Sequence, residues 1–388
     1  MATEFICAVG PGQKDYTSMA AWEAACESNI TNAQTRVYSI SGVVGVVHDA
    51  ATITGSNNDY VAFVKHVTDT QVMLYHDTVD EVYENNEYVH MDSDNYIVIA
   101  ANGGNGDTVI SVQEFATSDG SPDGYFSNAG WTTSSTNKII FRPQMGHEAT
   151  VPYSKVRYRI ESTTAMTIFG HVEIYQLQAS GLNGTFLTGN AVNDILIDKC
   201  NFRGGKGASD KYIIWCQEGQ TNSVVKIRNT ICAGALGTNG AGIFMYNGET
   251  TFYVYNCTIK NCKIGIAHGD SVAQSIKNCI INCANAFDGT FTDDDDYNDY
   301  NSSSQNLNDV ALGSHGRYNQ TFSFIDDINN GDFRLKKDDL GAKDHGIDLS
   351  EADLPVIEDF DEKQRPITGP DIGAFEYYDI SNSFFLLF

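Results

Sequence analysis

Basic residues are scarce in this chain: 24 Lys and Arg stand against 50 Asp and Glu in 388 residues, a formal charge of -26. Such a surface repels phosphate backbones and anionic headgroups, so nucleic acid and membrane surfaces are excluded as partners. Proline is scarce as well, at 7 residues, while Gly 35, Tyr 20 and Phe 20 suit a turn-rich all-β chain and not a disordered one. No apolar run reaches the roughly 18 residues of a spanning helix. No Cys-x-x-Cys occurs and the nine cysteines are odd in number, which points to neither a zinc site nor a full disulfide framework. Met1-Ala2-Thr3-Glu4-Phe5 has no basic n-region and no apolar h-region, so no secretory signal is expected.

What is present repeats itself. Ile197-Asp198-Lys199-Cys200, Ile227-Arg228-Asn229-Thr230, Val254-Tyr255-Asn256-Cys257 and Ile276-Lys277-Asn278-Cys279 overlay at spacings of 30, 27 and 22. A second register runs through Ile213, Gly242-Ile243, Gly265-Ile266 and Ala286-Phe287. Self-similarity at such periods marks a coil stacked on itself. Each unit is two or three short runs of Ile, Val, Phe, Tyr and Cys with no helical stripe, which predicts strands. Parallel strands about 4.8 Å apart then form a solenoid lined by columns of like residues. Asn tolerates the left-handed backbone of a bend, so Asn229, Asn256 and Asn278 are expected to form a corner column. Cys200, Cys257 and Cys279, with Cys262 and Cys283 nearby, are expected as stacked interior thiols.

At this point the chain resembles the right-handed parallel β-helix proteins of the pectin-lyase-like class, found among polysaccharide-degrading enzymes and phage tailspikes. The segment Gln364-Arg365-Pro366-Ile367-Thr368-Gly369-Pro370-Asp371-Ile372-Gly373-Ala374-Phe375-Glu376-Tyr377 is similar to the ending of many such chains. Asp15 to Ala25 is similar to the opening of phage-type members. The resemblance implies an all-β, right-handed parallel β-helix, and a protein made in the cytoplasm and displayed on a virion surface after lysis.

Along the chain, 1–36 should hold a first strand and a helix from Ser18 to Ser28, capped by Thr17 or Ser18, with Met19, Trp22 and Cys26 on its buried face. An open coil end exposes strand edges and core, so this helix is the expected plug. Residues 37–105 read as an inserted small antiparallel β subdomain, with strands near Val43–Val47, Tyr60–Val64, Gln71–Tyr75, Glu87–His90 and Tyr96–Ala100. The coil should occupy 106–363, with Gly313–Ile325, Asp332–Leu335 and Gly341–Gly346 as late turns. Val172–Leu177 should join the ladder ahead of Ile197. A cap and apolar tail, 364–388, would follow, with Arg365, Asp371 and Glu376 as its polar pins.

Candidate functional residues are sparse, and no catalytic residue is assigned. Asp293, Asp294, Asp295 and Asp296 are the candidate metal ligands, because calcium takes carboxylate oxygens. A solvated loop is the alternative, since the alternation of an EF-hand is absent. Phe384, Phe385, Leu386, Leu387 and Phe388 would be a sticky free terminus, so they are the candidate interface with another subunit or a virion protein. Asp198, Arg228 and Tyr255 should form a mixed outer column, while Arg203 and Lys206 occupy a Gly-rich loop and His268-Gly269-Asp270 follows a turn of coil. None of these reproduces the paired carboxylates of a glycoside hydrolase.

The expectation is therefore a non-catalytic structural or attachment protein of a bacterial or archaeal virus, such as a tailspike, fibre or head decoration. It would form a homo-oligomer, a trimer first, and meet other virion proteins and host surface polysaccharide. The alternative is a depolymerase, either a polysaccharide lyase or a glycoside hydrolase.

Overall fold

The computed structural model describes all residues except 1, 14, 27–29, 32–33, 48–50, 58–59, 77, 79–81, 101–107, 116, 118–120, 125–126, 163–165, 182–185, 189–193, 205–211, 217–221, 247–249, 270–272, 290, 292–294, 301–312, 327–330 and 379–388. Short strands stack into three parallel sheets, and from Ile139–Pro143 onward the chain visits each sheet once per turn. The first sheet runs through Ala2–Val9, Thr108–Phe115, Ile139–Pro143, His171–Tyr175, Asp194–Asp198, Ser223–Arg228, Thr250–Tyr255 and Ala273–Lys277. The second begins at Ile160–Ser162 and ends at Asp299–Tyr300; the third runs from Met166–Ile168 to Asn285–Asp288. This is a parallel β-helix.

Columns of like residues fill the coil. Ile174, Ile197, Ile227, Val254 and Ile276 are register partners of one another and are buried. The four repeat units read from sequence therefore lie one above the next. The partner of Ile197 in the preceding turn is Ile174, two residues beyond Val172 on the same face of the strand. In the third sheet the column is Ile214, Ile243, Ile266 and Phe287, so the register expected at Ile213 runs one residue later. Both Ile213 and Ile214 are buried, which hides the difference from pattern reading.

The corner between the first and second sheets needs a left-handed residue on every turn. Gln176, Lys199, Asn229, Asn256 and Asn278 take φ of 50°, 55°, 49°, 52° and 54°. Asn meets this need at low cost, and its side chain then serves other partners. Asn278 accepts from Ile347 N at 3.0 Å and donates to Ile347 O at 2.7 Å. Beside this column Cys200, Cys257 and Cys279 are buried free thiols that donate to carbonyls of their own turn and the turn before. Gly242 and Gly265, within third-sheet strands, leave room for their neighbours: a Cβ on Gly265 would lie 2.2 Å from Ile281 Cγ2 and 2.6 Å from Ala286 O.

At the open end lies the helix Met19–Cys26, with Ser18 Oγ accepting from Ala21 N at 3.1 Å. Met19 and Trp22 are fully buried, and Trp22 stacks on Trp131 at 5.0 Å and meets the edge of Phe141. The side chain of Cys26 lies outside the described residues. Between the paired strands Ala2–Val9 and Thr108–Phe115 the chain leaves the coil and closes a six-stranded antiparallel barrel, from Thr35–Val44 to Tyr96–Ile99, around Tyr38, Val64, Leu74 and Ile97. The barrel covers the free edge of Ala2–Val9, where the Gln71 amide donates to Glu4 O at 2.8 Å and accepts from Ile6 N at 3.4 Å. That satisfies an exposed strand edge that would otherwise template aggregation.

Of the segments expected as late turns, Gly313–Ile325 adds a single parallel bridge to the second sheet, Arg317 to Asp299, and the strands that follow do not extend the ladder. Phe324–Asp326 pairs antiparallel with Asp332–Leu335, and this hairpin packs on the outer face of the second sheet, Phe322, Phe324, Phe333 and Leu335 lying against Ile231, Ala233 and Ile280. Two cations complete the contact: Lys260 Nζ sits 4.3 Å from the Phe324 ring centre, and the Arg203 guanidinium 4.9 Å from that of Phe333. Leu349, Leu354 and Val356 then cross to the first sheet and cover Tyr255, Tyr253 and Leu196. An outer sheet face carrying Ile231 and Ile280 must be covered, and the end of the chain covers it.

Candidate functional site

The outer face of the first sheet is where a β-helix can line up side chains from successive turns. Asp198, Arg228, Tyr255 and Lys277 are register partners, as are His171 with Asp194 and Leu196 with Lys226. Every described carboxylate on this face has a cation. Glu173 accepts from Lys138 Nζ at 2.5 Å and from the Tyr175 hydroxyl at 3.0 Å. Asp194 holds Lys226 at 2.9 Å, with His171 Nδ1 3.7 Å away. Asp198 holds Arg228 at 2.8 Å and Asn229 at 3.3 Å, while Arg142 bridges Glu4 and Glu114 at 3.1 and 2.9 Å. A hydrolase needs one carboxyl to deliver a proton and a second to attack or to activate water. These carboxylates instead tie neighbouring turns together.

Lys138, His171, Glu173, Asp194, Lys226 and Leu354 line a cleft of about 100 Å³. Ligand pockets start at roughly 300 Å³, so this cleft is too small to bury a sugar ring. Leu354 forms part of its wall, and Pro355 O accepts from Arg228.

Of the residues that the sequence singled out, Asp293, Asp294, Lys206, Asp270 and Phe384–Phe388 lie outside the described residues. Asp295 is fully buried, not solvated: it accepts from Ile276 N at 3.0 Å and Gln274 Nε2 at 3.1 Å. Asp296 accepts from Tyr297 N, His315 N and His315 Nδ1 at 2.8, 2.7 and 2.7 Å, and these bonds hold its carboxyl below the usual range against the opposing pull of burial. Asp295 thus caps the strand Ala273–Lys277, and Asp296 ties its own loop to His315. Among the described residues no group of three or more His, Cys, Asp or Glu is placed to hold a metal ion. Arg203 is half-buried with its guanidinium over the Phe333 ring, and loss of solvent brings it down to about 10. His268 is buried with its ring edge-on to Phe291 at 4.9 Å.

Arg365, Asp371 and Glu376 meet at the cap. Arg365 donates to Glu376 at 3.2 Å and to the carbonyls of Gly373 and Asp371 at 2.8 and 3.1 Å. Glu376 also accepts from Asp371 N, and Asp371 accepts from Asp344 N and Tyr377 N. Burial, then the charge of the neighbouring carboxylate, pushes Glu376 up to about 8, with Arg365 pulling the other way. Burial likewise raises Asp371 to about 6.

One feature escaped the sequence reading. On the outer face of the third sheet Tyr212 stacks on Phe244 at 4.4 Å and 12°, Trp215 stands edge-on to Tyr212 at 5.5 Å, and Tyr246 follows Phe244 at 6.1 Å. Tyr246 is 43% exposed. Rings presented in a row offer flat apolar surface of the kind that the C–H face of a sugar covers. The signal was present in the spacing of Tyr212, Trp215, Phe244 and Tyr246. Strand periodicity could not say which of them face out, because burial along Tyr212–Cys216 does not alternate.

No family model, no curated protein and no solved structure matches the chain.

Proposed function

We propose that this chain is a non-catalytic structural or attachment protein of a virus particle, a stiff coil on the virion surface that presents saccharide-facing aromatic side chains. The observation that carries the non-catalytic part is the pairing of Glu4, Glu114, Glu173, Asp194 and Asp198 with cations along the first sheet. The cover laid by Leu354 and Val356 supports it, since a polysaccharide chain needs that face open to be cut there. The aromatic strip on the third sheet supports contact with sugar, and the similarity of the Asp15–Ala25 opening to phage-type chains supports the virion setting. Assembly as a homo-oligomer, a trimer first, belongs to the same proposal, with Phe384–Phe388 as its candidate interface.

Antibody labelling of particles released from the source organism tests the location: gold on intact virions is expected, and label confined to soluble lysate would contradict it. Light scattering of the purified chain reads the oligomer, with three chains expected and a monomer counting against the interface.

A further inference from the structure

A cavity of about 320 Å³ opens between the wrapping hairpin and the cap, and Ile325, Leu335, Tyr377 and Tyr378 form its apolar wall. Strand alternation puts Ile325 there. In Phe324–Asp326 the ring of Phe324 is buried against the coil, so Ile325 faces the other way and is 51% exposed. Alone it would be ordinary surface; beside two tyrosine rings it is one side of a concave apolar site.

Two of the basic groups at the mouth are matched within the chain. Asp332 takes Arg334 Nε at 2.9 Å and a terminal nitrogen at 2.5 Å, while Lys363 lies 3.9 Å from Asp361 and 4.7 Å from the Tyr378 ring centre. What the site offers an incoming group is chiefly apolar area. Its wall is anchored: the Tyr378 hydroxyl donates to Gln364 O, and Tyr377 N donates to Asp371 at 2.6 Å.

The described chain stops in this wall, at Tyr378. Next in the sequence come Asp379-Ile380-Ser381-Asn382-Ser383 and then Phe384-Phe385-Leu386-Leu387-Phe388, an unbroken run of large apolar side chains. An apolar site and an apolar segment without an assigned partner thus adjoin at one point of the chain.

We infer that Phe384–Phe388 of one copy seats in the cavity between hairpin and cap of the next copy. The inference rests on the homo-oligomer reading above and adds the surface that receives the segment. A space of about 150 Å³ holds one benzene-sized group, so this cavity takes about two of the five side chains. To fill its own cavity the segment would have to double back within Asp379 to Ser383; to fill a neighbour's it need only run on. The contact is head-to-tail, and three of them can close a ring. Because each copy carries a charge of -26, added salt should strengthen the assembly by screening repulsion between copies.

Sedimentation of full-length variants is the test. Phe385→Asp with Leu387→Asp spoils the segment, and Ile325→Asp spoils the cavity at an exposed position, with circular dichroism expected unchanged in both. Each variant alone should associate at least about tenfold more weakly than the unchanged chain. A mixture of the two should give a 1:1 pair, because the intact segment of one fits the intact cavity of the other. Absence of that pair would overturn the seating in a neighbour. Full assembly of Ile325→Asp, with loss only in the segment variant, would sink the cavity and spare the segment as interface. A monomeric unchanged chain would sink the oligomer reading; a synthetic peptide of residues 379–388 that then bound the segment variant and not Ile325→Asp would return the segment to its own cavity and overturn the seating between copies.

Discussion

At the residue scale, the corner column shows how a backbone demand selects a side chain. Asn229, Asn256 and Asn278 were legible in the sequence because a left-handed bend recurs on each turn and Asn tolerates it. Asn278→Ala should cost about 2 kcal/mol, the left-handed strain plus two hydrogen bonds to Ile347, and Asn256→Gly much less; urea unfolding measures both. Gly265→Ala should cost about 1–3 kcal/mol, because the new methyl meets the backbone of Ala286 as well as Ile281.

Glu376 gives a pH dependence with a definite sign. Its folded value of about 8 lies above its ordinary 4.5, so the folded state holds the proton more tightly than the unfolded one. Its contribution to stability is complete below about 4.5 and is lost as pH rises through about 8. Melting temperature should therefore fall across that window, and Glu376→Gln should flatten the fall. An unchanged slope in the variant would place the titration elsewhere. Asp295 carries the opposite lesson for sequence reading. Four adjacent aspartates read as solvated or metal-binding, yet Asp295 is used to finish a strand edge. Composition reports charge and not which backbone donor lies within reach.

At the element scale, the coil was legible and the wrapping segment was not. The ladder of Ile197, Ile227, Val254 and Ile276 repeats, so its pattern survives without coordinates. Phe324–Asp326 and Asp332–Leu335 have the same apolar alternation as a turn of coil, and only the partner differs: each other, antiparallel, on the outside of the second sheet. Alternation says that one face is buried, not against what. Phe333→Ala should cost about 3–5 kcal/mol and release this hairpin first, read by faster proteolysis near 325–335 while the coil stays intact. Loss of the whole coil at the same protease dose would show that wrapper and ladder unfold as one.

At the scale of the whole molecule, a parallel coil puts its side chains on three long faces, and the chain treats them differently. The first is covered by Leu349–Val356 and laced by ion pairs; the second carries the wrapping hairpin; the third leaves Tyr212, Phe244 and Tyr246 at the surface. Aromatic side chains on the third face were readable as residues and not as a strip, since their direction depends on a break in alternation within Tyr212–Cys216. Stiffness comes from lateral hydrogen bonds repeated on each turn, with interior columns that resist sliding by one residue.

The claim on which the account depends is that this surface holds sugar without cutting it. Incubation of the purified chain with acidic and neutral polysaccharides, followed by assay of new reducing ends and unsaturated products, measures it directly. The account predicts no product above the buffer control with any polymer, including those that the chain retains. Sustained release of oligosaccharides, lost on Glu173→Gln or Asp194→Asn, would contradict it.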